Sequence, residues 1–309
     1  MIIGIGNPVY DFIETPHIST KERVLSGCST NACLALSKLG AKAALIGCIG
    51  DDFYTQFTND MAKYGVDFEV TPCSQTGGFS LIYDYSGDRT LDVLGVADPI
   101  THFPTRFAQA DFVLFGPILG EVSLELVQQV RGLTEALFLL DPQGLVRKIV
   151  DGRIVRYRNP QLREIIPYFD VVKANEHEAE VMTGINPRQD GHAATEAIHD
   201  WGCRIAIVTL AEAGSIIYDG QKFYDIPAYR TLARDPTGAG DTYAGGFMYR
   251  CVQGVRDLQE VGCFASSVAS VMVEHTGPDF PLTLDEAEKR TDVLMQRSVD
   301  RRGGKLNVS

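Results

Sequence analysis

The chain has 309 residues, of which 45% are hydrophobic and 22% charged, and its formal net charge is −12. This length suits one large α/β domain or two smaller ones, and the composition is typical of a soluble globular protein. The acidic balance argues against nucleic acid or an anionic membrane surface as the main partner. No apolar run approaches the ~20 residues of a membrane span, and the N-terminus lacks a signal peptide's basic segment. The seven cysteines form no Cys-x-x-Cys pair, which predicts reduced thiols in a cytoplasmic protein.

Strands and helices alternate from the first residue. We expect a strand, a helix, a strand and a helix at 1–6, 30–39, 43–48 and 52–64. The segment 67–97 interrupts this rhythm, because its strand-like pieces at 68–71, 78–85 and 90–94, with a turn at 86–88, have no helix between them. Such a stretch predicts a small antiparallel sheet that stands off the main domain.

The alternation returns after residue 100. Short apolar runs predict buried strands at Phe112–Phe115, Ala136–Asp141, Val171–Lys173, Ile205–Leu210 and Ser215–Tyr218, with helices near 122–131, 176–183 and 190–201. This order predicts a Rossmann-like, mostly parallel sheet with helices on both faces. We find no repeat or linker, so we expect a single domain over 1–309. The basic stretch 147–163 is interpreted as a solvated face, and the polar tail 299–309 as frayed.

Residues 235–247, Asp-Pro-Thr-Gly-Ala-Gly-Asp-Thr-Tyr-Ala-Gly-Gly-Phe, carry the most chemical information. Gly238, Ala239 and Gly240 leave backbone N–H groups unshielded where a helix begins, and such a helix N-terminus binds anions. A carboxylate beside an anion site, Asp241, makes sense if it takes a proton from a nucleophile while the amides stabilise a transferred group. The alternative is an ordinary helix start with an acidic residue in its first turn. The first interpretation describes phosphoryl transfer.

The 235–247 string resembles the C-terminal signature of the ribokinase-like (PfkB) family of sugar and nucleoside kinases. Residues 26–52 are similar to the family's N-terminal signature, in which a Gly-Gly-x-x-x-Asn run enters a helix. Ser26 replaces the first glycine of that run, and Cys28 stands where some members have Lys. The resemblance implies that Asp241 is the catalytic base and that the amides of Gly238, Ala239 and Gly240 form the anion hole.

The same resemblance assigns substrate contacts to Asp11, Gly27, Asn31 and Asp241. A carboxylate such as Asp11 can accept hydrogen bonds from adjacent hydroxyls, although an isolated Asp after a strand is more often a turn residue. Asn31 has the alternative of capping the first helix. The stretch 13–26, which supplies lid strands in the family, is short here. We therefore expect lid segments at about 13–26 and 67–97, with a homodimer left open.

Donor contacts are implied at Asn175, Thr209, Gly214, Gly238, Gly240 and Ser266. Asn175 and Glu178 resemble the family's Asn-x-x-Glu element, in which the carboxylate acts on Mg²⁺ through water. An acidic helix start capped by Asn175 is the alternative. Ala211 replaces a family glycine in the loop 209–214, and Ser266 lies in an apolar helical run that corresponds to the adenine pocket.

The resemblance implies an ATP- and Mg²⁺-dependent kinase that phosphorylates a hydroxyl of a small sugar or polyol. A monovalent cation such as K⁺ is a weaker expectation, near residues 231–235. An inositol or a nucleoside remains an alternative acceptor, and Asp141-Pro-Gln-Gly-Leu-Val-Arg147 is the cue for inositol. Phe12, Phe79 and Tyr83 are candidate partners for a nucleobase. An alternative of a different class is a non-catalytic sugar- or nucleotide-binding sensor on the same fold.

Overall fold

The computed structural model of the protein describes residues 1–83 and 89–303. The strands in these ranges are β1 (Ile2–Ile5), β2 (Val9–Glu14), β3 (Val24–Ser26), β4 (Ala43–Gly50), β5 (Asp67–Cys73), β6 (Gly78–Tyr83), β7 (Arg89–Gly95), β8 (Phe112–Phe115), β9 (Leu137–Leu140), β10 (Arg147–Val150), β11 (Arg153–Arg156), β12 (Val171–Asn175), β13 (Ile205–Thr209), β14 (Ser215–Tyr218) and β15 (Phe223–Ile226). The helices in the same ranges are α1 (Cys28–Lys38), α2 (Tyr54–Tyr64), α3 (Leu124–Leu133), α4 (Leu162–Ile165), α5 (Glu176–Thr183), α6 (Gly191–His199), α7 (Ala239–Val252), α8 (Leu258–Met272) and α9 (Leu284–Gly303).

Nine of the described strands form the main sheet, in the order β15-β14-β13-β12-β9-β8-β1-β4-β5. Every pair from β13 to β5 is parallel, whereas β14 and β15 add an antiparallel edge. The central strands are continuous apolar runs such as Ile2–Ile5 and Phe112–Phe115, which are buried along their whole length. Strands of this kind require cover on both faces of the sheet.

Helices supply that cover. Leu34 of α1, Phe247 of α7 and Phe264 of α8 belong to one buried apolar cluster against the sheet. A second buried cluster contains residues of α3, α5 and α6, among them Val127 and Met182. The predicted Rossmann-like sheet with helices on both faces is therefore confirmed.

A second, smaller sheet has the strand order β10-β11-β7-β6-β2-β3 among the described residues. Its strands β2 and β3 overlap the predicted segment 13–26, and β6 and β7 lie in 67–97. The pairing of β2 with β6 is parallel, so the sheet is mixed and not purely antiparallel as predicted. In the chain, β2 follows β1 and β6 follows β5. Because β1 and β5 run in the same direction in the main sheet, β2 and β6 extend from it in the same direction.

One assignment from the sequence was wrong about sheet membership, and one pair of strands was not predicted. The strand expected at 68–71 in the small sheet is β5, which pairs in parallel with β4 at the edge of the main sheet. It returns there after α2, as in an ordinary βαβ unit. The basic stretch, interpreted only as a solvated face, contributes the hairpin β10–β11 to the small sheet. Asp151 and Gly152 connect these two strands with φ of 51° and 77°, the positive values of a type I′ turn.

The remaining expectations concern the ends and the cysteines. The tail predicted to be frayed is helical as far as Gly303, and 304–309, like the predicted turn at 86–88, lies outside the described residues. All seven cysteines are free, and five of them are buried. Within the described ranges, no helix has both the length and the apolar character needed to cross a membrane.

Candidate active site

The site is built around the first turn of α7. Gly238 precedes this helix in the left-handed conformation, with φ 79° and ψ −1°, and Asp241 lies in its first turn. The N-cap residue Gly238 provides no side-chain hydrogen bond to cap this helix start. The positive end of the helix dipole lies at this turn, and within the turn the backbone N–H of Ala239 donates to the Pro236 carbonyl at 3.2 Å.

Asn31 and Asp241 meet although 210 positions separate them in the chain. Asn31 Nδ2 donates a hydrogen bond of 2.9 Å to Asp241 Oδ2. Asn31 lies within α1, which begins after Gly27 at φ 120°. A Cβ on Gly27 would lie 3.0 Å from the carbonyl oxygen of Asn7, so a glycine is favoured there both by conformation and by space. The two predicted motifs thus form one site, and Asn31 is not the helix cap.

Asp11 lies within strand β2 and not in a turn. It is buried, and its Oδ1 accepts a hydrogen bond of 2.8 Å from the backbone N–H of Phe79. This bond joins β2 to β6 inside the small sheet. The predicted substrate contact of Asp11 is compatible with this position only if the carboxylate serves the backbone and the substrate at once.

A buried cluster of charged and polar groups lies beneath Asp241. The Cys28 sulfur and carboxylate oxygens of Asp141 and Asp241 all lie within 4.8 Å of one another. Lys173 Nζ donates to Asp141 Oδ2 at 2.5 Å, and both side chains are about 3% exposed. A Cβ on Gly240 would lie 2.7 Å from Lys173 Nζ. The ammonium group therefore lies directly under the first turn of α7.

The protonation equilibria of the cluster follow from burial and mutual charge. Burial raises the pKa of Asp241, and the neighbouring Asp141 raises it further, while Lys173 and Asn31 oppose this change. Burial, Asp141 and Asp241 hold the pKa of the Cys28 thiol well above its usual range. Burial disfavours the ammonium form of Lys173, but Asp141 and Glu178 outweigh it and raise the pKa of this lysine. Lys173 is therefore charged, and Cys28 is a neutral thiol.

Asn175 and Glu178 form a capping box at the start of α5. The backbone N–H of Glu178 donates to Asn175 Oδ1 at 2.9 Å, and the backbone N–H of Asn175 donates to Glu178 Oε2 at 2.8 Å. Asn175 Nδ2 also donates to Glu178 Oε1 at 2.7 Å. Glu178 is buried, and burial together with Asp141 raises its pKa. The capping alternative is thus correct, and it fixes two hard oxygen-bearing side chains at the end of β12.

Two of the predicted donor residues, Asn175 and Thr209, end the neighbouring strands β12 and β13. Thr209 ends β13, and the loop after it closes through a bond of 2.7 Å from the backbone N–H of Leu210 to the Gly214 carbonyl. Gly214 has φ 99°, and Ala211, which replaces a family glycine, is itself at φ 48°. Ser266 lies on α8, where its hydroxyl donates to the Pro227 carbonyl at 3.0 Å.

The small sheet packs over the cluster on the side of Cys28. Val9, Phe79 and Tyr83 of this sheet pack in one apolar cluster with Cys28 and Ile118 of the main domain. At its edge, the Tyr83 hydroxyl lies 2.9 Å from Thr237 Oγ1, within the 235–247 motif and directly before Gly238. Phe12, in contrast, is 39% exposed.

Lys173 and Asp141, which belong to the buried cluster beneath Asp241, were not predicted as site residues. A signal was present in the sequence, because each is the charged residue that ends a short apolar run predicted as a strand of a parallel sheet, Val171–Lys173 and Ala136–Asp141. Ligands of such sheets bind outside the carboxyl ends of their strands, where charged side chains of neighbouring strands converge. Cys28 was noted only as a departure from the family pattern.

A parallel α/β sheet with a glycine-rich helix start, a carboxylate and a covering small sheet defines a class of phosphoryl-transfer enzymes. The family model "pfkB family carbohydrate kinase" matches residues 2–284, and the chain belongs to this family. It is a kinase whose relatives phosphorylate hydroxyls of sugars, nucleosides or inositol. Kinases of this family generally use ATP and Mg²⁺.

Individual relatives differ in substrate. A cytidine kinase from Thermococcus kodakarensis is 30% identical over 271 residues, which cover 84% of this chain and 91% of the relative. A ribokinase from Haemophilus influenzae is 26% identical over 258 residues, 81% of each chain. Among solved structures, a pyrophosphate-dependent kinase in the ribokinase family, complexed with a pyrophosphate analog and myo-inositol, has a TM-score of 0.80. It is 25% identical in sequence, over 93% of this chain and 99% of that one.

Proposed function

We propose that the protein transfers the γ-phosphoryl group of ATP to a hydroxyl of a small sugar or polyol, with Asp241 as general base. The observation that carries this proposal is the bond between Asn31 and Asp241. It joins the predicted substrate motif to the predicted base at the first turn of α7. Asp241 takes the proton of the acceptor hydroxyl as its oxygen attacks the γ-phosphorus and the bond to the ADP oxygen breaks.

The anion hole and the buried lysine act on the charge that develops during transfer. In this proposal the amides of Gly238, Ala239 and Gly240 stabilise the transferring group, which requires the Ala239 N–H to exchange its 3.2 Å bond to the Pro236 carbonyl for the phosphoryl oxygen. Fixed donors are most effective there because water is excluded. Lys173 lies under the same turn and stays charged beside Asp141. Its ammonium group offsets part of the negative charge of the phosphates. The raised pKa of Asp241 makes its carboxylate a stronger base than an exposed one.

The donor lies, in this proposal, along the carboxyl ends of β12 and β13. Asn175 and Glu178 are hard oxygen donors that suit Mg²⁺. Their mutual hydrogen bonds leave them suited to act through water. Mg²⁺ supplies charge neutralisation of the donor phosphates. Thr209, Gly214 and Ser266 line the nucleotide, and the buried Asp235 carboxylate offers a hard oxygen for K⁺ in the loop 231–235.

Asp11, Gly27 and Asn31 bind the acceptor hydroxyls beneath the small sheet. A second candidate function is transfer from pyrophosphate to an inositol. The solved kinase with a TM-score of 0.80, which carries a pyrophosphate analog and myo-inositol, favours it. A nucleoside acceptor is favoured by the 30% identical cytidine kinase, with Phe79 and Tyr83 facing the acceptor side as aromatic partners.

The experiment that tests the proposal measures product formation for three donors, namely Mg-ATP, Mg-ADP and Mg-pyrophosphate. Each donor is combined with pentoses, hexoses, inositols and nucleosides, and Asp241→Asn protein is the control. We expect phosphorylated sugar or polyol from ATP, at a rate that falls by about 10² to 10⁴ in the control. Product from pyrophosphate and inositol alone would replace the first candidate by the second. Turnover that is unchanged in Asp241→Asn protein would refute the mechanism.

A further inference from the structure

We propose that Tyr83 is a positioning residue that links closure of the small sheet to the order of the anion hole. It thereby favours transfer to the acceptor over transfer to water. This inference rests on the proposed function. It adds a means by which hydrolysis of the donor is limited while no acceptor is bound. The observation behind it is the 2.9 Å contact between the Tyr83 hydroxyl and Thr237 Oγ1, two groups 154 positions apart in the chain.

Tyr83 contacts both halves of the site. Its ring packs in the apolar cluster that includes Cys28, the residue that lies beside Asp241 on the floor of the acceptor region. Its hydroxyl reaches Thr237, the residue immediately before Gly238. Both Tyr83 and Thr237 are 7% exposed. One side chain of the small sheet therefore spans the distance from the acceptor floor to the start of the anion hole.

Thr237 is held by two hydrogen bonds of different origin. Its backbone N–H donates to Asp235 Oδ1 at 2.8 Å, a bond within the loop itself that does not depend on the small sheet. Its side chain is bonded by Tyr83, and this bond exists only while the small sheet lies over the site. Because Gly238 follows in the left-handed conformation, a displacement of Thr237 shifts the amides that form the anion hole.

The consequence concerns which oxygen attacks the donor. With acceptor bound, its hydroxyl oxygen forms the new bond to phosphorus, the bond to the leaving group breaks, and Asp241 takes the proton. Water can take the same place and yields free phosphate by the same bond changes. An anion hole that is fully ordered only under a closed small sheet suppresses the second reaction, because water attacks when the sheet is open.

The test uses Tyr83→Phe, which removes one oxygen atom, and Thr237→Val, which removes its partner. The donor and acceptor are the pair that the panel above identifies. Transfer is measured as phosphorylated product, and hydrolysis as phosphate released without acceptor. We expect the ratio of hydrolysis to transfer to rise about tenfold in each variant, the scale of one buried hydrogen bond. The double variant should show no more than either single variant.

Tyr64→Phe is the matched control, because it also removes a tyrosine hydroxyl bond, 2.8 Å to Asp279 Oδ1, outside the small sheet. It should leave the ratio unchanged. An unchanged ratio in Tyr83→Phe, or effects of the two variants that multiply, would overturn the inference. Wild-type protein that transfers nothing would instead overturn the proposed function.

A measurement on the wild-type protein does not depend on the folding of any variant. Hydrogen exchange is followed with and without the acceptor. We expect the amides of 78–83 and of 237–241 to gain protection together when the acceptor binds. Protection of 78–83 alone would show that closure and anion-hole order are independent, and would overturn the inference.

Discussion

Replacing Gly238 by alanine tests how the backbone before α7 holds Asp241, the proposed catalytic base. Gly238 has φ 79°, where a residue with a Cβ costs about 1–2 kcal/mol. The added Cβ would also lie 3.0 Å from Asn31 Nδ2, the atom that binds Asp241. Displacing Asn31 removes a hydrogen bond to a charged group, which is worth about 1.5–3 kcal/mol. We therefore expect Gly238→Ala to lower the free energy of unfolding by about 2.5–5 kcal/mol.

The chain offers a matched control at the end of α5. Gly184 has the same φ of 79°, but no atom lies within 4 Å of the position that its Cβ would take. Gly184→Ala therefore introduces the backbone strain without the clash, and we expect a loss of only about 1–2 kcal/mol. Both values follow from urea denaturation monitored by circular dichroism, provided that the slopes of the two transitions agree.

Activity separates the two variants more sharply than stability does. Gly184→Ala should retain wild-type turnover, because its site lies outside the catalytic cluster. Gly238→Ala should lose at least about 10²-fold in kcat, the scale for losing one anion-hole donor. If the two variants were equally stable and equally active, the contact between Asn31 and Asp241 would not be what this glycine protects. The role given to the first turn of α7 would then be wrong.

Three further substitutions test the buried charges and the loop 209–214. Asp241→Asn should raise the free energy of unfolding at pH 7, because the raised pKa of this acid means that folding is opposed by its ionisation. The gain should shrink as the pH falls and vanish below about pH 4 in urea titrations, where the wild-type carboxyl is protonated in both states. Lys173→Met should destabilise the protein by about 3–5 kcal/mol, because it leaves Asp141 buried without its cation. Adding Asp141→Asn should restore most of this loss. A double variant as unstable as Lys173→Met alone would contradict the pairing. Ala211→Gly should stabilise by about 1 kcal/mol in the same assay by relieving φ 48°, and a loss of stability would show that the loop is not strained.

The sequence predicts the main sheet well because the apolar composition of its strands indicates that both of their faces are buried. Runs such as Phe112–Phe115 are apolar at every position, which a strand tolerates only when helices cover both faces. The same local signal does not specify a partner. The segment at 68–71 is a strand in either sheet, and only its return after α2 to the edge of β4 decides which.

The hairpin β10–β11 was missed although its turn carries a strong local signal. Asp151-Gly152 between two alternating segments is typical of a type I′ turn. The density of Arg and Lys in 147–163 instead favours a solvated face, and charge on an edge strand is a common protection against further pairing. The charged composition of 147–163 thus predicts the exposure of these residues correctly, but it does not predict that they form strands.

Site residues were predictable to the extent that their motifs are contiguous. The resemblance named Asn31 and Asp241 separately, and the fold brings them within 2.9 Å. Lys173 and Asp141 belong to no string of this kind, because Lys173 lies within β12 and Asp141 directly follows β9. Their proximity depends on the neighbouring positions of β9 and β12 in the sheet. Such pairs follow from topology, and a single sequence does not contain the strand order.

The charges of the cluster favour a phosphate donor that is accompanied by a divalent cation. Asp141, Asp241 and Glu178 place three carboxyl groups around the single ammonium of Lys173. Burial and Asp141 raise the pKa of both Asp241 and Glu178. Without a bound ligand, ionisation of all three carboxyl groups at once is therefore unfavourable. A phosphate donor adds further negative charge and is repelled unless a divalent cation accompanies it. The cation would also favour ionised Asp241, so that donor binding would prepare the base in the same step that brings the phosphoryl group.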